Sequence, residues 1–263
     1  MKQKKIPTIL IIAGSDSGGG AGIQADIKAA SYFKVFATTA VTAVTAQNTL
    51  GVQSIFPIPE IEIQKQLRSV IGDLAPDLIK IGMLGTKEVV DCVAQEILPN
   101  KIILDPVMVA TSGDKLVDEG CIKGIKEKLV PNSYLVTPNS FEAEILSGKK
   151  ISSIEDQEYA AKEIKNLGAE NVLVKGGHLY EGNNLVDILV DETGKSIQFK
   201  SQRIDSNNTH GTGCTLSTAI ASSVAKGIAL EKAITDSISY VQRGIKNAPN
   251  LGSGNGPLMH FDV

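Results

Sequence analysis

The amino-acid sequence predicts an α/β protein: a mostly parallel central sheet flanked by helices on both faces, with a small antiparallel hairpin. Three observations carry that expectation. Short apolar runs that stop at Gly, Pro, Asn or Asp alternate with longer stretches of helical periodicity, the pattern of strands joined by crossover helices. The rhythm changes after Gly182, where Leu185–Val190 and Ser196–Lys200 flank Asp191-Glu-Thr-Gly194, a hairpin closed by a glycine-containing turn. No linker, repeat or low-complexity block divides residues 1–263, so a single domain is expected.

Taken in order, the first strand is Thr8–Ala13. Lys4-Lys5 ahead of it imitates a secretory leader, but the apolar stretch is short and runs straight into Gly14-Ser-Asp16, as a first buried strand does. A helix over Ile23–Phe33 and a strand over Ala37–Val44 follow. Glu60–Leu74 places Ile61, Ile63, Leu67, Val70 and Ile71 at helical spacing. Next come the strand Leu78–Ile81, the helix Lys87–Ile97, and the strands Ile102–Leu104 and Tyr134–Thr137. The helix Tyr159–Leu167 ends before Gly168, a residue suited to a left-handed C-cap, and the strand Val172–Val174 comes after it. Beyond the hairpin, Thr215–Lys226 and Leu230–Ile245 read as helices, the second with Ala233, Ile234, Ile238, Val241 and Ile245 on one face. The glycine-rich stretch Leu251–Pro257 reads as a surface connection.

Composition narrows the function. With 26 Lys+Arg against 29 Asp+Glu, the net charge of −3 argues against a nucleic-acid partner, and no tryptophan and 4% aromatics argue against a base-stacking surface. No run approaches the roughly 20 apolar residues of a membrane span, so no membrane partner is expected. Three cysteines without a CxxC pair signal neither disulfides nor zinc, which fits a cytoplasmic protein.

In an open parallel sheet, ligands gather beyond the carboxyl ends of the strands. Those tips read Gly14-Ser-Asp16, Thr45-Ala-Gln47-Asn48, Gly82-Met83, Asp105-Pro-Val107, Pro138-Asn139 with Glu142, and Lys175-Gly-Gly177. The cluster Gly18–Gly22 before a helix is neither GxGxxG nor a P-loop. It serves equally as a plain turn or as backbone brought close to a ligand. His210-Gly-Thr-Gly-Cys214 opens a helix, where amide N–H groups and the helix dipole favour an anion such as a developing phosphoryl group. Cys214 in that first turn is expected to have a lowered thiol pKa. Lys175, at the end of an apolar run, suits a phosphate. Asp105 and Glu142 offer hard oxygens for Mg²⁺, although Asn139 and Glu142 at this spacing read more simply as a helix capping box. Met83 and Val107 fit pocket wall or core, and His178 and His260 read as surface or loop histidines.

Ala13–Asp26, Thr45–Gln53, Lys80-Ile-Gly-Met83, Leu104-Asp-Pro-Val-Met108, Thr137–Glu142, Lys175–His178 and Asn208–Cys214 together resemble the hydroxymethylpyrimidine/phosphomethylpyrimidine kinases of thiamine biosynthesis, within the ribokinase-like superfamily. The resemblance implies an ATP- and Mg²⁺-dependent enzyme that phosphorylates 4-amino-5-hydroxymethyl-2-methylpyrimidine and then its monophosphate. It places Gln47 on the pyrimidine edge with Ala21, Met83 and Val107 lining the pocket. It sets Lys175, Asn139 and Thr209 against the ATP phosphates, and Asp105 and Glu142 around Mg²⁺ and its waters. Gly211 and Gly213 fall in the anion hole, and Cys214 in the position of the base. The resemblance also implies a homodimer. Similar pyridoxal kinases carry a cysteine shortly after the Asp-Pro-Val-Met segment; here Ala110 stands in that stretch, and Thr111 replaces a lysine common in the pyrimidine kinases. The remaining alternative is a non-catalytic nucleotide or vitamin sensor. Ala110–Asp114 and the hairpin are candidates for covering the site.

Overall fold

The computed structural model describes residues 6–109, 116–177, 180, 181 and 183–261. Its strands are β1 (Thr8–Asp16), β2 (Phe36–Asn48), β3 (Gly51–Pro57), β4 (Leu78–Ile81), β5 (Ile102–Leu104), β6 (Leu135–Val136), β7 (Asn171–Val174), β8 (Tyr180–Glu181), β9 (Asn184–Val190) and β10 (Ser196–Gln202). They form one sheet in the order β10-β9-β7-β6-β5-β4-β1-β2-β3, with β8 on β9. From β2 to β7 the pairing is parallel, while β3 on β2 and the β7/β9/β10 end are antiparallel. The expected hairpin is therefore an extension of the main sheet rather than a separate cover.

Alternation along the strands divides the core in two. Leu10 and Ile12 of β1, Ile79 and Ile81 of β4, and Ile102 and Leu104 of β5 face one layer. Ile9, Ile11, Leu78 and Ile103, at the intervening positions, face the other. The first layer is covered by α2 (Glu60–Leu74), α3 (Lys87–Ile97), α4 (Glu119–Gly124), α5 (Ser140–Ser147) and α6 (Ile154–Asn166); the second by α1 (Gly22–Tyr32), α7 (Thr212–Ala225) and α8 (Leu230–Lys246). These strand residues are close to fully buried, each worth about 1.5–3 kcal/mol of transfer free energy. On the second face Tyr240 stacks on Tyr32 at 4.4 Å and meets Phe33 edge-on at 5.2 Å.

Several sequence expectations shift. Gly14–Asp16 and Thr45–Asn48, read as tips, lie inside β1 and β2, because β2 runs on to pair with β3. Helix α6 starts at Ile154, earlier than its apolar spacing suggests, since Ser153 caps it by accepting the Asp156 N–H at 3.1 Å. The stretch Leu251–Pro257 is not a simple surface connection. Gly254 and Asn255 donate to Thr49 Oγ1 and O at 3.2 and 2.8 Å, and the Gly256 carbonyl accepts the His210 N–H at 3.1 Å. Among the described residues, no helix is long and apolar enough to cross a membrane. Ala110–Asp114, with Ala110 and Thr111, and His178 lie outside the described residues.

Candidate active site

Parallel pairing puts the ends of β1, β4, β5, β6 and β7 on one edge of the sheet, and α1, α5 and α7 begin there. Asp16, the last residue of β1, organises the first glycine loop. Its carboxylate accepts the N–H groups of Gly18, Gly20 and Ala21 at 2.8, 3.0 and 2.8 Å, and lies 2.9 Å from His210 Nε2. Burial pushes the Asp16 carboxyl up, but the His210 bond and these N–H donors outweigh it and hold it below its usual value. Gln47 Nε2 lies 3.4 Å from the same His210 nitrogen, and Gln47 Oε1 accepts from Thr45 Oγ1 at 3.1 Å. Gln47 and Ala21 are thus joined through Asp16 and His210. Met83 follows β4 and is held by its carbonyl, which accepts Thr42 Oγ1 at 2.7 Å; half-buried Val107 follows Asp105.

On the neighbouring strands, Lys175 Nζ donates to Asp105 Oδ1 at 2.8 Å. Asp105 also accepts from Thr137 Oγ1 and Ser217 Oγ, each at 3.3 Å. Only 14% of the Lys175 side chain is exposed, so the lysine does not snorkel. Burial opposes both charges. The two groups offset this for each other: Lys175, with Lys80, keeps Asp105 below its usual range, and Asp105 with Glu142 raises Lys175. The first turn of α7 lies against this pair, for a Cβ on Gly213 would stand 3.2 Å from Lys175 Nζ and 3.6 Å from Asp105 Oδ2. Gly211, at φ +84°, is the N-cap, and any side chain there would run into the Gly20 carbonyl. The two glycine loops therefore touch, and N–H groups of the α7 first turn, which have no intrahelical partner, open toward the lysine. Thr209, half-buried, accepts the Thr212 N–H at 3.3 Å just ahead of this turn.

Asn139 and Glu142 form the capping box of α5: Asn139 Oδ1 accepts the Glu142 N–H at 2.9 Å and Glu142 Oε2 accepts the Asn139 N–H at 2.8 Å. Burial pushes the Glu142 carboxyl up to about 7, with Asp105 adding to the rise and Lys175 opposing it. Among the described residues, no group of three or more His, Cys, Asp or Glu side chains could cage a metal. Asp105 and Glu142 alone, their oxygens partly engaged, fit Mg²⁺ held through waters and nucleotide phosphates rather than in an all-protein cage.

Cys214 departs from expectation. Its thiol is pushed up to about 12 rather than lowered, because desolvation exceeds what Lys80 and the Gly22 N–H contribute in the other direction. His260 is not at the surface: it is 4% exposed, with Nε2 3.0 Å from Thr215 Oγ1. Sequence reasoning placed Asp16 and His210 in the ligand loops without giving either a role of its own, and passed over Lys80, Asp26, Ser217 and Thr218 as candidates. A lone lysine inside the apolar run Leu78–Ile81 was the available signal for Lys80; the Asp16–His210 contact spans 194 positions and left none.

A buried lysine–aspartate pair against a helix N-terminus, at the carboxyl edge of a parallel sheet, is suited to hold phosphate charge, as a phosphotransferase of the ribokinase-like class requires. Residues 16–259 match the family model described as phosphomethylpyrimidine kinase, and the chain belongs to that family. It is 43% identical over 255 residues to the hydroxymethylpyrimidine/phosphomethylpyrimidine kinase of Bacillus subtilis, covering 96% of this chain and 94% of the relative. Among solved structures it is similar to an ADP complex of Bacillus subtilis pyridoxal kinase, with TM-score 0.89, 34% identity and coverage of 97% and 98%. It is also similar to a phosphomethylpyrimidine kinase from Clostridium difficile, with TM-score 0.78, 38% identity and coverage of 90% and 98%.

Proposed function

We propose that the protein transfers phosphate from ATP to the hydroxymethyl group of 4-amino-5-hydroxymethyl-2-methylpyrimidine and then phosphorylates the monophosphate to the diphosphate, in thiamine biosynthesis. The observation that carries the reading is the Lys175–Asp105 pair at 2.8 Å, set against the first turn of α7 beside Cys214. In this reading Gln47, oriented by Thr45 and His210, reads the pyrimidine edge, with Ala21, Met83 and Val107 as walls. Lys175, Asn139, Thr209 and the Gly211–Gly213 amides take up phosphate charge as it spreads over the transferring group. Asp105 and Glu142 would hold Mg²⁺ through its waters, and when bound the ion supplies charge neutralisation between the phosphates. Cys214 accepts the hydroxyl proton. The transition state is loose, so this proton leaves late; only the thiolate fraction of Cys214 can accept it, and a thiol protonated at rest keeps that fraction small. The family resemblance supports a homodimer, with the chain as one domain in the cytoplasm.

A pyridoxal kinase reading draws on the 0.89 TM-score to such an enzyme. Against it stands Ala110, which cannot form a thiohemiacetal with an aldehyde. Coupled assays with ATP and each of hydroxymethylpyrimidine, its monophosphate and pyridoxal decide between them. The expected order favours the pyrimidines; a preference for pyridoxal, or no turnover of either pyrimidine, overturns the assignment.

A further inference from the structure

We propose that Lys80, clamped by Asp26 and Thr218, is a positioning residue for phosphoryl transfer: it fixes the first turn of α7 against the start of α1. The inference rests on the kinase reading and adds to it residues that do not line the site.

On β4, Lys80 takes the position between Ile79 and Ile81, so it points into the layer where β1 and β5 contribute Ile9, Ile11 and Ile103. An aliphatic side chain would pack there without desolvating an ion. Instead Lys80 and Asp26 are both fully buried, with Nζ 3.0 and 2.8 Å from the two carboxylate oxygens. Thr218 Oγ1 donates to Asp26 Oδ1 at 2.7 Å, so one carboxylate ties β4, α1 and α7 together.

The placement of the tie matters. Asp26 stands four residues after Gly22, where α1 begins, and Thr218 four residues after Cys214. Each is therefore on the same helix face as the residue one turn nearer the site. The clamp holds both helices one turn below their glycine loops, where the loops themselves touch through Gly20 and Gly211. A second tie, Ser217 Oγ to Asp105 Oδ2 at 3.3 Å, fixes the adjacent face of α7.

The charged groups converging on Cys214 are Lys80 from β4, Asp26 from α1, Asp105 beyond β5 and Lys175 beyond β7. Without Lys80, Asp26 would be left as an unpaired buried carboxylate beside Cys214. An apolar filler for the pair would supply the packing but not the orientation that the hydrogen bonds impose.

The test is steady-state kinetics of the full chain with ATP and hydroxymethylpyrimidine. Thr218→Val keeps the shape and removes the hydroxyl; it is expected to lower kcat about 10-fold or more with both KM values within about 2-fold, and Thr218→Ser to restore most of the loss. Lys80→Met/Asp26→Leu removes both charges and refills the volume; it is expected to keep its circular dichroism spectrum and lose about 100-fold in kcat. Wild-type kcat in Thr218→Val, or in the folded double variant, overturns the proposal, as does a loss confined to KM. If the double variant does not fold, the Thr218 pair decides alone. The unmodified chain is the control, because its failure to phosphorylate the pyrimidine would sink the function rather than the clamp.

Discussion

Cys214 shows how far a residue's chemistry depends on what surrounds it. A cysteine in a helix first turn ordinarily has its thiolate favoured, yet here burial drives the thiol up to about 12. At neutral pH the sulfur therefore keeps its proton, and below the pKa the thiolate fraction rises about tenfold for each unit increase in pH. The sign follows directly: a raised acid pKa means that the base form is lost as pH falls. If Cys214 takes the hydroxyl proton, log kcat should climb with a slope near one from about pH 6 to about pH 9. Cys214→Ala should abolish that slope and lower kcat at least about 100-fold at pH 8, while the KM for ATP changes by less than about 3-fold. A flat wild-type profile, or an alanine variant that turns over normally, would reduce Cys214 to packing.

At the scale of elements, the start of α7 is where local conformation and function meet. Gly211 and Gly213 are two residues apart and make opposite demands. Gly211 sits in the left-handed region with the Gly20 carbonyl where a side chain would go, whereas Gly213 faces the movable end of Lys175. Gly211→Ala is expected to cost about 1–2 kcal/mol from backbone conformation alone, and more because the two loops must separate. Thermal unfolding should show that loss together with a drop in kcat. Gly213→Ala should melt close to the parent but raise the KM for ATP, since the new methyl displaces Lys175 Nζ. Equal melting losses in the two variants would contradict this division of roles. The capping box of α5 behaves differently: its spacing was readable because both partners lie within three residues.

For the molecule as a whole, legibility tracks burial and sequence separation. Strands β1, β4, β5 and β7 were readable because burial on both faces demands unbroken apolar runs. Strand β3 was not, because five of its seven residues are exposed at a sheet edge and its sequence carries no apolar run. Candidate site residues at or just past strand ends, such as Gln47, Asp105 and Lys175, could be listed in advance. The long-range contacts of Asp16 with His210 and of Asp26 with Thr218 depend on topology. His260 belongs to this last class, since the C-terminal segment folds back over α7 and α8 and buries it. Tyr240 Oη donates to the His260 carbonyl at 2.9 Å, and Met259 N–H donates to Gly244 O at 2.9 Å. Burial, reinforced by Lys28, lowers the imidazole from 6.5 to about 4. Between those values the unfolded chain binds the proton more readily, so stability is present above pH 6.5 and is lost as the pH falls toward about 4. The loss attributable to this histidine is on the order of 3 kcal/mol. Urea unfolding of the parent and of His260→Gln at pH 7 and pH 4.5 isolates it, because carboxylate contributions cancel between the two chains. The parent should lose more stability on acidification than the variant. Parallel losses would mean that protonation of His260 is accommodated in the folded state and that the C-terminal segment holds its place on Thr49 and His210 without a neutral imidazole.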